Sequence, residues 1–422
     1  MNALHFQISD QGHCPSSRIP APPRYVIPNE VRGMTVSPSA AHHPIRRLRI
    51  LRSAILLILA AISLCGCDIS YLAHGACSEV RLLWNRRPID TVLQNKNIKP
   101  QVRTNLELVL EVRRFAADQL DLNVGGAYKT VTPVDQSAIT WILMAAQPDQ
   151  LSPYTWYFPI VGSVPYKGYF KKASAQSAAA TMEADGYDTF IRPAVAFSSL
   201  GYFNDPLLSN LLALDHVVLA GVIIHELFHR TYFLASNVMF DESAANYVGG
   251  RGAVEFFNRS EGPNSDHAAT ARAIVRSDMK FGDFLDREEN RLLALYSSGK
   301  PRTEILKQRV VLFHEIQSDY TRLKPQLAGM ERFDLDRVKL NNAVLINYQL
   351  YFHNLGDFAA LDALHRCDLR ATIAAIIDLA KANTDDPFGA IHRAVQSVPN
   401  RSLPDCVSEP TNGGTDNLQV RP

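Results

Sequence analysis

The sequence lacks an excess of charge of either sign: 43 Lys+Arg stand against 42 Asp+Glu in 422 residues, a formal net charge of +1. That balance removes any compositional argument for nucleic acid or an anionic surface as the main partner. It also lacks the biases of unusual proteins. With 46% hydrophobic and 20% charged residues, wholesale disorder, collagen-like sequence and coiled coil are excluded. No internal repeat is found. The apolar run Ser53 to Leu64 is too short for a comfortable spanning helix. Cysteine is scarce, with Cys14, Cys65, Cys67, Cys77, Cys367 and Cys406 only.

What charge there is lies unevenly. Residues 1–66 carry 7 Lys+Arg and 2 Asp+Glu, which leaves 36 against 40 for the rest. Residues 1–45 hold 7 of the 24 prolines and no helical or strand period. They read as a disordered extension or as sequence upstream of the true start, with Met34 the alternative first residue. The basic Arg46-Arg47-Leu48-Arg49-Ile50-Leu51-Arg52, the short apolar run and the small residues before a cysteine make residues 46–66 an export signal. Leu64-Cys65-Gly66-Cys67 resembles a bacterial lipobox, which implies that Cys67 is lipid-modified and heads the mature chain. A plain membrane anchor is the alternative. The expected location is the bacterial cell envelope, lipid-anchored and facing the periplasm, on the inner or the outer membrane. In that oxidising compartment one disulfide among Cys77, Cys367 and Cys406 is possible. A Cys367–Cys406 pair would staple the polar C-terminal tail to the last helical region.

Residues 67–410 read as one globular domain, followed by a polar tail over 411–422. Ser78 to Asn97 and Pro100 to Leu122 show apolar residues at helical spacing. Ala127 to Tyr169 is rich in β-branched and aromatic residues punctuated by Pro and Gly, the pattern of a small antiparallel sheet. Lys171 to Asp185 is an Ala-rich helix with Gly186 as its stop. Thr189 to Ser198 is a further strand. From Asp215 onward nearly everything is helical. The expected class is α+β, mainly helical, with the small sheet before the central motif.

That motif is His225-Glu226-Leu227-Phe228-His229, an HExxH sequence inside the apolar helix predicted over Leu214 to Phe233. Positions i and i+4 share one helix face, so both imidazoles can reach one ion. Glu226 is rotated about 100° from His225, near enough to touch a metal-bound water without ligating the metal. Three ionisable groups in a hydrophobic helix are costly to bury without a partner, and Zn²⁺ supplies one. The helix should stop near Ala235-Ser236-Asn237, and a second should begin around Asp241, capped by Asn237 or Asp241. A short turn would bring Glu242 to the ion as third ligand, and the small Ser243, Ala244 and Ala245 permit close approach. Asp241, His216, Glu255 and His267 compete for that role.

HExxH followed by a glutamate on the next helix resembles the gluzincin peptidases. The match is closer to the putative aminopeptidase family of proteobacterial lipoproteins. It rests on Cys67, Gly162-Ser163-Val164-Pro165-Tyr166-Lys167-Gly168-Tyr169-Phe170, the block Ala196 to Leu207, His225 to His229, Phe240-Asp241-Glu242-Ser243-Ala244-Ala245 and Leu340-Asn341-Asn342-Ala343, in family order. Two positions depart from the family: Asp241 stands where Asn is usual, and Arg230 where a neutral residue is usual. Neither touches the predicted ligands, and the Arg230 side chain should point elsewhere on the helix.

The resemblance implies a zincin-like fold, a zinc ion held by His225, His229 and Glu242, and peptide hydrolysis with a peptide substrate. Zinc would lower the pKa of its water towards about 7, and Glu226 would accept the proton as general base. Tyr348, Tyr351, His353 and His314 are candidates for stabilising the oxyanion. Phe197 to Tyr202 reads as a strand that could pair with extended substrate, with Gly201 permitting close approach. An aminopeptidase must also hold a free α-ammonium, for which Asp205 and Glu183 are the candidates. The alternative reading is a non-catalytic, zinc-stabilised lipoprotein acting as a binding or assembly factor. No nucleic-acid partner is expected, and membrane attachment is assigned to lipid on Cys67.

Overall fold

The computed structural model describes residues 84–134, 140–158, 161–194, 204–329, 335–397 and 403–409. The export segment 46–66, Cys67, Cys77, the predicted strand Phe197 to Tyr202 and the tail 411–422 lie outside the described residues. Among the described residues no helix is long and apolar enough to cross a membrane.

The first described elements are a short strand β1 (Arg87–Pro88) and a short helix α1 (Ile89–Leu93). The longer helix expected from Ser78 does not cover this stretch. Pro88 fixes φ and has no N–H to give, so a helix starts after it rather than running through it. Helix α2 (Pro100–Asp118) follows as predicted, with Pro100 at its first turn and Leu106, Val109, Val112 and Phe115 buried.

Strands β2 (Thr130–Thr132), β3 (Thr140–Ala146), β4 (Trp156–Phe158), β5 (Gly162–Val164), β6 (Tyr166–Tyr169) and β7 (Asp188–Ala194) come next, with helix α3 (Lys172–Ala184) between β6 and β7. Gly186 follows α3 at φ +88°, the left-handed stop its sequence predicts. The central sheet is antiparallel in the order β6-β3-β7, and β4 and β5 form a hairpin. A third sheet departs from expectation. β2 pairs antiparallel with β1 but parallel with β8 (Leu207–Leu208), since the chain makes the whole central sheet before it returns.

Register decides which sheet residues face the helices. Ile142 lies opposite Arg192, and Met144 lies opposite Tyr166. Residues two apart on a strand share a face, as do cross-strand partners, so Tyr166 and Arg192 share the face of Ile142 and Met144. That face packs on Ala343, Ile346 and Leu350.

The second half is helical: α4 (His216–Thr231), α5 (Val238–Ser260), α6 (Asp266–Tyr296), α7 (Arg302–Leu323), α8 (Asn342–Phe352), α9 (Leu355–Leu364), α10 (Leu369–Ala382) and α11 (Pro387–Gln396). α4 is apolar on nearly every side and is buried almost throughout. α2, α5 and α6 pack around it. α4 and α5 approach closely because Gly221 faces Gly249: a Cβ on Gly249 would lie 2.7 Å from the Gly221 carbonyl oxygen and 3.1 Å from His225 Cβ.

Two polar devices hold this frame. Asp362, fully buried, takes hydrogen bonds from Arg251 Nε (2.7 Å), Tyr247 Oη (2.9 Å) and Thr372 Oγ1 (3.0 Å). At the start of α8, Asn341 accepts from Val344 N (2.9 Å) and donates to Thr189 O (2.9 Å), while Asn342 donates to Gln147 O (2.8 Å). This gives the Leu340 to Ala343 block a physical meaning: it pins α8 to the central sheet. A disulfide joins Cys367 to Cys406.

Candidate metal centre

The centre is built by the turn that joins α4 to α5. Asp215 caps α4, its side chain accepting from Val218 N at 2.9 Å. α4 ends at Thr231, earlier than its sequence predicts, and α5 begins at Val238 rather than near Asp241. Asn237 occupies the N-cap position, but its side chain donates to Thr384 O (3.2 Å) instead of capping. Asp241 lies inside the first turn of α5 and reaches back to accept from Leu234 N at 3.0 Å. Ser236, at φ +68°, donates its N–H to Val161 O (3.1 Å), and its hydroxyl accepts from Ser163 N (3.1 Å). The Gly162 to Phe170 block thus braces the turn and carries Tyr166 towards the site.

The turn folds α5 back beside α4, and three side chains meet. His225 Nε2 lies 3.1 Å from His229 Nε2. Glu242 Oε2 lies 3.3 Å from His225 Nε2 and 3.5 Å from His229 Nε2. A tetrahedral zinc ion with bonds of about 2.0–2.1 Å sets its ligands roughly 3.3–3.4 Å apart, so the donor set and its spacing fit such an ion. His225 and His229 are buried, and the Glu242 side chain is only 14% exposed.

The electrostatics agree with a cation site. Burial alone would push the Glu242 carboxyl up, but the two imidazoles, His229 foremost, outweigh it and hold it well below the usual carboxylate range. Burial disfavours charge on His229, yet Glu242 chiefly, with Glu226 and Asp241, raises it to about 9. Burial pushes Asp241 up to about 7 against the opposing pull of the Leu234 N–H and His229. Glu226 is buried, and that burial raises its carboxyl pKa, offset in part by His225 and His229.

The other candidates divide cleanly. His216 stacks loosely on His267, which pairs with Glu261 at 2.9 Å, and Glu255 pairs with Arg259. Asp241 is committed to the turn. His353 belongs to a separate cluster with Asp286 (3.1 Å) and Glu289 (3.7 Å). His314 is exposed, and Tyr348 packs edge-on against Phe281. Tyr351 stands at the site: its ring stacks on His225 with centroids 6.4 Å apart. Asp205 is buried, and its charge and that of Glu226 both act on Tyr128. Glu183 is instead bonded to the Thr189 hydroxyl. Arg230 leaves the site, its guanidinium lying over Gly125.

Arg192, Asn347, Tyr166 and Tyr128 stand around the centre with no role assigned by the sequence; Tyr166 is marked only as a member of the Gly162 to Phe170 block. Arg192 donates from Nε to Asn347 Oδ1 (2.6 Å) and from Nη2 to Tyr351 Oη (2.9 Å). Burial and the Glu242 carboxylate raise the Tyr166 hydroxyl well above its usual pKa. Tyr128, buried near Glu226, shifts the same way. Arg192 lies within the predicted strand Thr189 to Ser198, where no motif marks it.

Fold and centre together define a mainly helical α+β protein in which an HExxH helix is doubled back on a glutamate-bearing helix. The chain belongs to the family described as Putative aminopeptidase, which matches residues 70–387. No curated protein sequence and no solved structure gives a significant match.

Proposed function

We propose that this chain is a zinc-dependent peptidase of the gluzincin type, acting as an aminopeptidase and anchored through lipid on Cys67 on the periplasmic side of the cell envelope. The observation that carries the reading is the convergence of His225 Nε2, His229 Nε2 and Glu242 Oε2 within 3.1–3.5 Å of one another, with Glu226 buried next to them. Membership of an aminopeptidase family supports the reaction class. The Cys367–Cys406 disulfide supports an oxidising compartment.

His225, His229 and Glu242 would hold the zinc. When bound, zinc supplies polarisation of the scissile carbonyl and acidifies the attacking water. Glu226 takes the proton from that water and passes it to the leaving amine. Its raised carboxyl pKa brings it nearer neutral pH and makes it a better proton carrier than an exposed glutamate. Tyr351 faces the developing oxyanion. Its oxygen accepts from Arg192, so its own hydrogen is available to donate. Burial foremost keeps that phenol protonated, raising its pKa despite the opposing Arg192 charge. Asp205, buried and close enough for its charge to act on Glu226, is the carboxylate assigned to the substrate α-ammonium.

Glu226→Gln tests the reading. The variant keeps the shape of the site and loses its base, so kcat/KM on a cleaved peptide should fall by about 10²–10⁴-fold with zinc content unchanged. Equal cleavage by wild type and variant contradicts the assignment of Glu226, and absence of cleavage by the zinc-loaded wild type across a diverse peptide library contradicts the peptidase reading.

A further inference from the structure

A cavity of about 130 Å³ runs away from the metal centre along the seam between α4 and α5. His225, Arg192 and Tyr351 stand at one end of it. On α4 the wall continues from His225 through Val222 and Gly221 to Val218 and Val217. At 1.5 Å rise per residue that is about 10–12 Å of depth. On α5 the matching wall descends from Asn246, one turn below Glu242, through Gly249 and Gly250 to Ala253. Ile274 of α6 and Phe352 of α8 close the sides.

The lining is apolar along most of its length, with the buried Asp278 of α6 and Asn347 of α8 among its few polar members. Gly250 marks close packing of α5 on α6, since a Cβ there would meet Val275 Cγ2 at 2.9 Å. One polar group has no partner: Asn246 Nδ2 is buried and donates to no acceptor. A buried donor left unsatisfied is costly, and an occupant that brings an acceptor oxygen relieves the cost. Ligand pockets commonly have this make-up, apolar walls with few placed polar groups.

We infer that this cavity is the specificity pocket of the site, taking a bulky apolar side chain, leucine- or phenylalanine-sized, from a residue flanking the scissile bond, with Asn246 donating to an oxygen of the same peptide. The inference rests on the peptidase reading for the bond cleaved, but not for the pocket itself. The depth of two helical turns exceeds the needs of alanine or valine and suits a long or aromatic side chain. Arg192 and Tyr351 at the mouth place the peptide backbone beside the centre while its side chain descends into the cavity that α4 and α5 wall together with α6 and α8.

Binding and cleavage can be read separately. Calorimetry on the zinc-loaded Glu226→Gln protein should show leucine and phenylalanine peptides binding at least 10-fold tighter than the alanine peptide of the same length. Val218→Phe in that background, at a half-buried position on the wall, should abolish the difference; Ile274→Ala, which enlarges the pocket, should move the preference towards tryptophan. In the wild type, kcat/KM for leucine over alanine should likewise exceed 10-fold, the scale expected for methylenes in an apolar pocket. Size-blind binding, or selectivity unchanged in both folded variants, overturns the pocket. Size-selective binding lost in Val218→Phe, with no peptide cleaved by the wild type, leaves the pocket standing and overturns the peptidase reading.

Discussion

Tyr351 shows how much chemistry a single hydrogen bond can settle. Because Arg192 Nη2 donates to its oxygen at 2.9 Å, the phenol cannot spend its own proton on Arg192, which has none of the acceptors a hydroxyl needs. The hydrogen is therefore free for an oxygen at the centre. Tyr351→Phe should lower kcat by about 10²–10³-fold, the cost of removing one oxyanion donor. KM should change far less, and zinc should still bind at one per chain. Steady-state kinetics with metal analysis checks both; an unchanged kcat contradicts the role. His225, Glu226 and His229 were legible in the sequence because helical period alone puts i and i+4 on one face. Tyr351 was one of four aromatic or histidine candidates, and nothing local separates them. Only the pinning of α8 by Asn341 and Asn342 turns Tyr351 to the centre, while His353 goes to Asp286 and His314 to the surface.

At the scale of elements, the decisive contact is the crossing of α4 and α5. Gly249 carries it, since a Cβ there would intrude on the Gly221 carbonyl at 2.7 Å. Gly221 is less constrained: its Cβ would meet the Gly249 carbonyl oxygen at 3.6 Å, an ordinary contact. Gly249→Ala should therefore destabilise by about 1–3 kcal/mol through overpacking, and weaken zinc binding by pushing Glu242 from the histidines. Gly221→Ala should be neutral or stabilising by up to about 1 kcal/mol from helix propensity. Chemical denaturation of both variants distinguishes them, and equal behaviour contradicts the asymmetry. The second helix was legible because a glutamate followed by small residues announces a closely packed element. Arg192 was not, because its partners depend on strand register and on α8, neither of which is encoded near residue 192. The predicted helix before Asn97 failed for the opposite reason: an apolar period was read across Pro88, whose fixed φ and missing N–H break a helix there and leave Arg87–Pro88 extended opposite Thr130–Val131.

At the scale of the whole molecule, two observations bear on where the protein works. The described residues share a continuous apolar core that runs from Ile89 to Val407, so the disulfide-held segment at Cys406 packs onto the body rather than hanging from it. The Cys367–Cys406 disulfide, with partners 39 positions apart, supports the proposed oxidising compartment. The basic flank, apolar run and Gly66-Cys67 pair support the proposed export signal. Together they predict that cells fed radiolabelled palmitate yield a labelled, membrane-associated protein. Cys67→Ser should lose the label and release the chain from the lipid fraction, since no described helix can span the bilayer in its place. Label retained in the variant contradicts the anchor. The balanced overall charge conceals an uneven distribution: residues 1–66 carry 7 Lys+Arg and 2 Asp+Glu, and the rest 36 against 40.

The central claim is that His225, His229 and Glu242 form one metal centre. Native mass spectrometry of the purified chain, with zinc added and then challenged with a competing chelator, tests it most directly. One zinc per wild-type chain should survive the challenge, and Glu242→Ala should lose it under the same conditions. A wild-type chain that takes up no zinc, or a Glu242→Ala chain that holds it as firmly as the wild type, contradicts it.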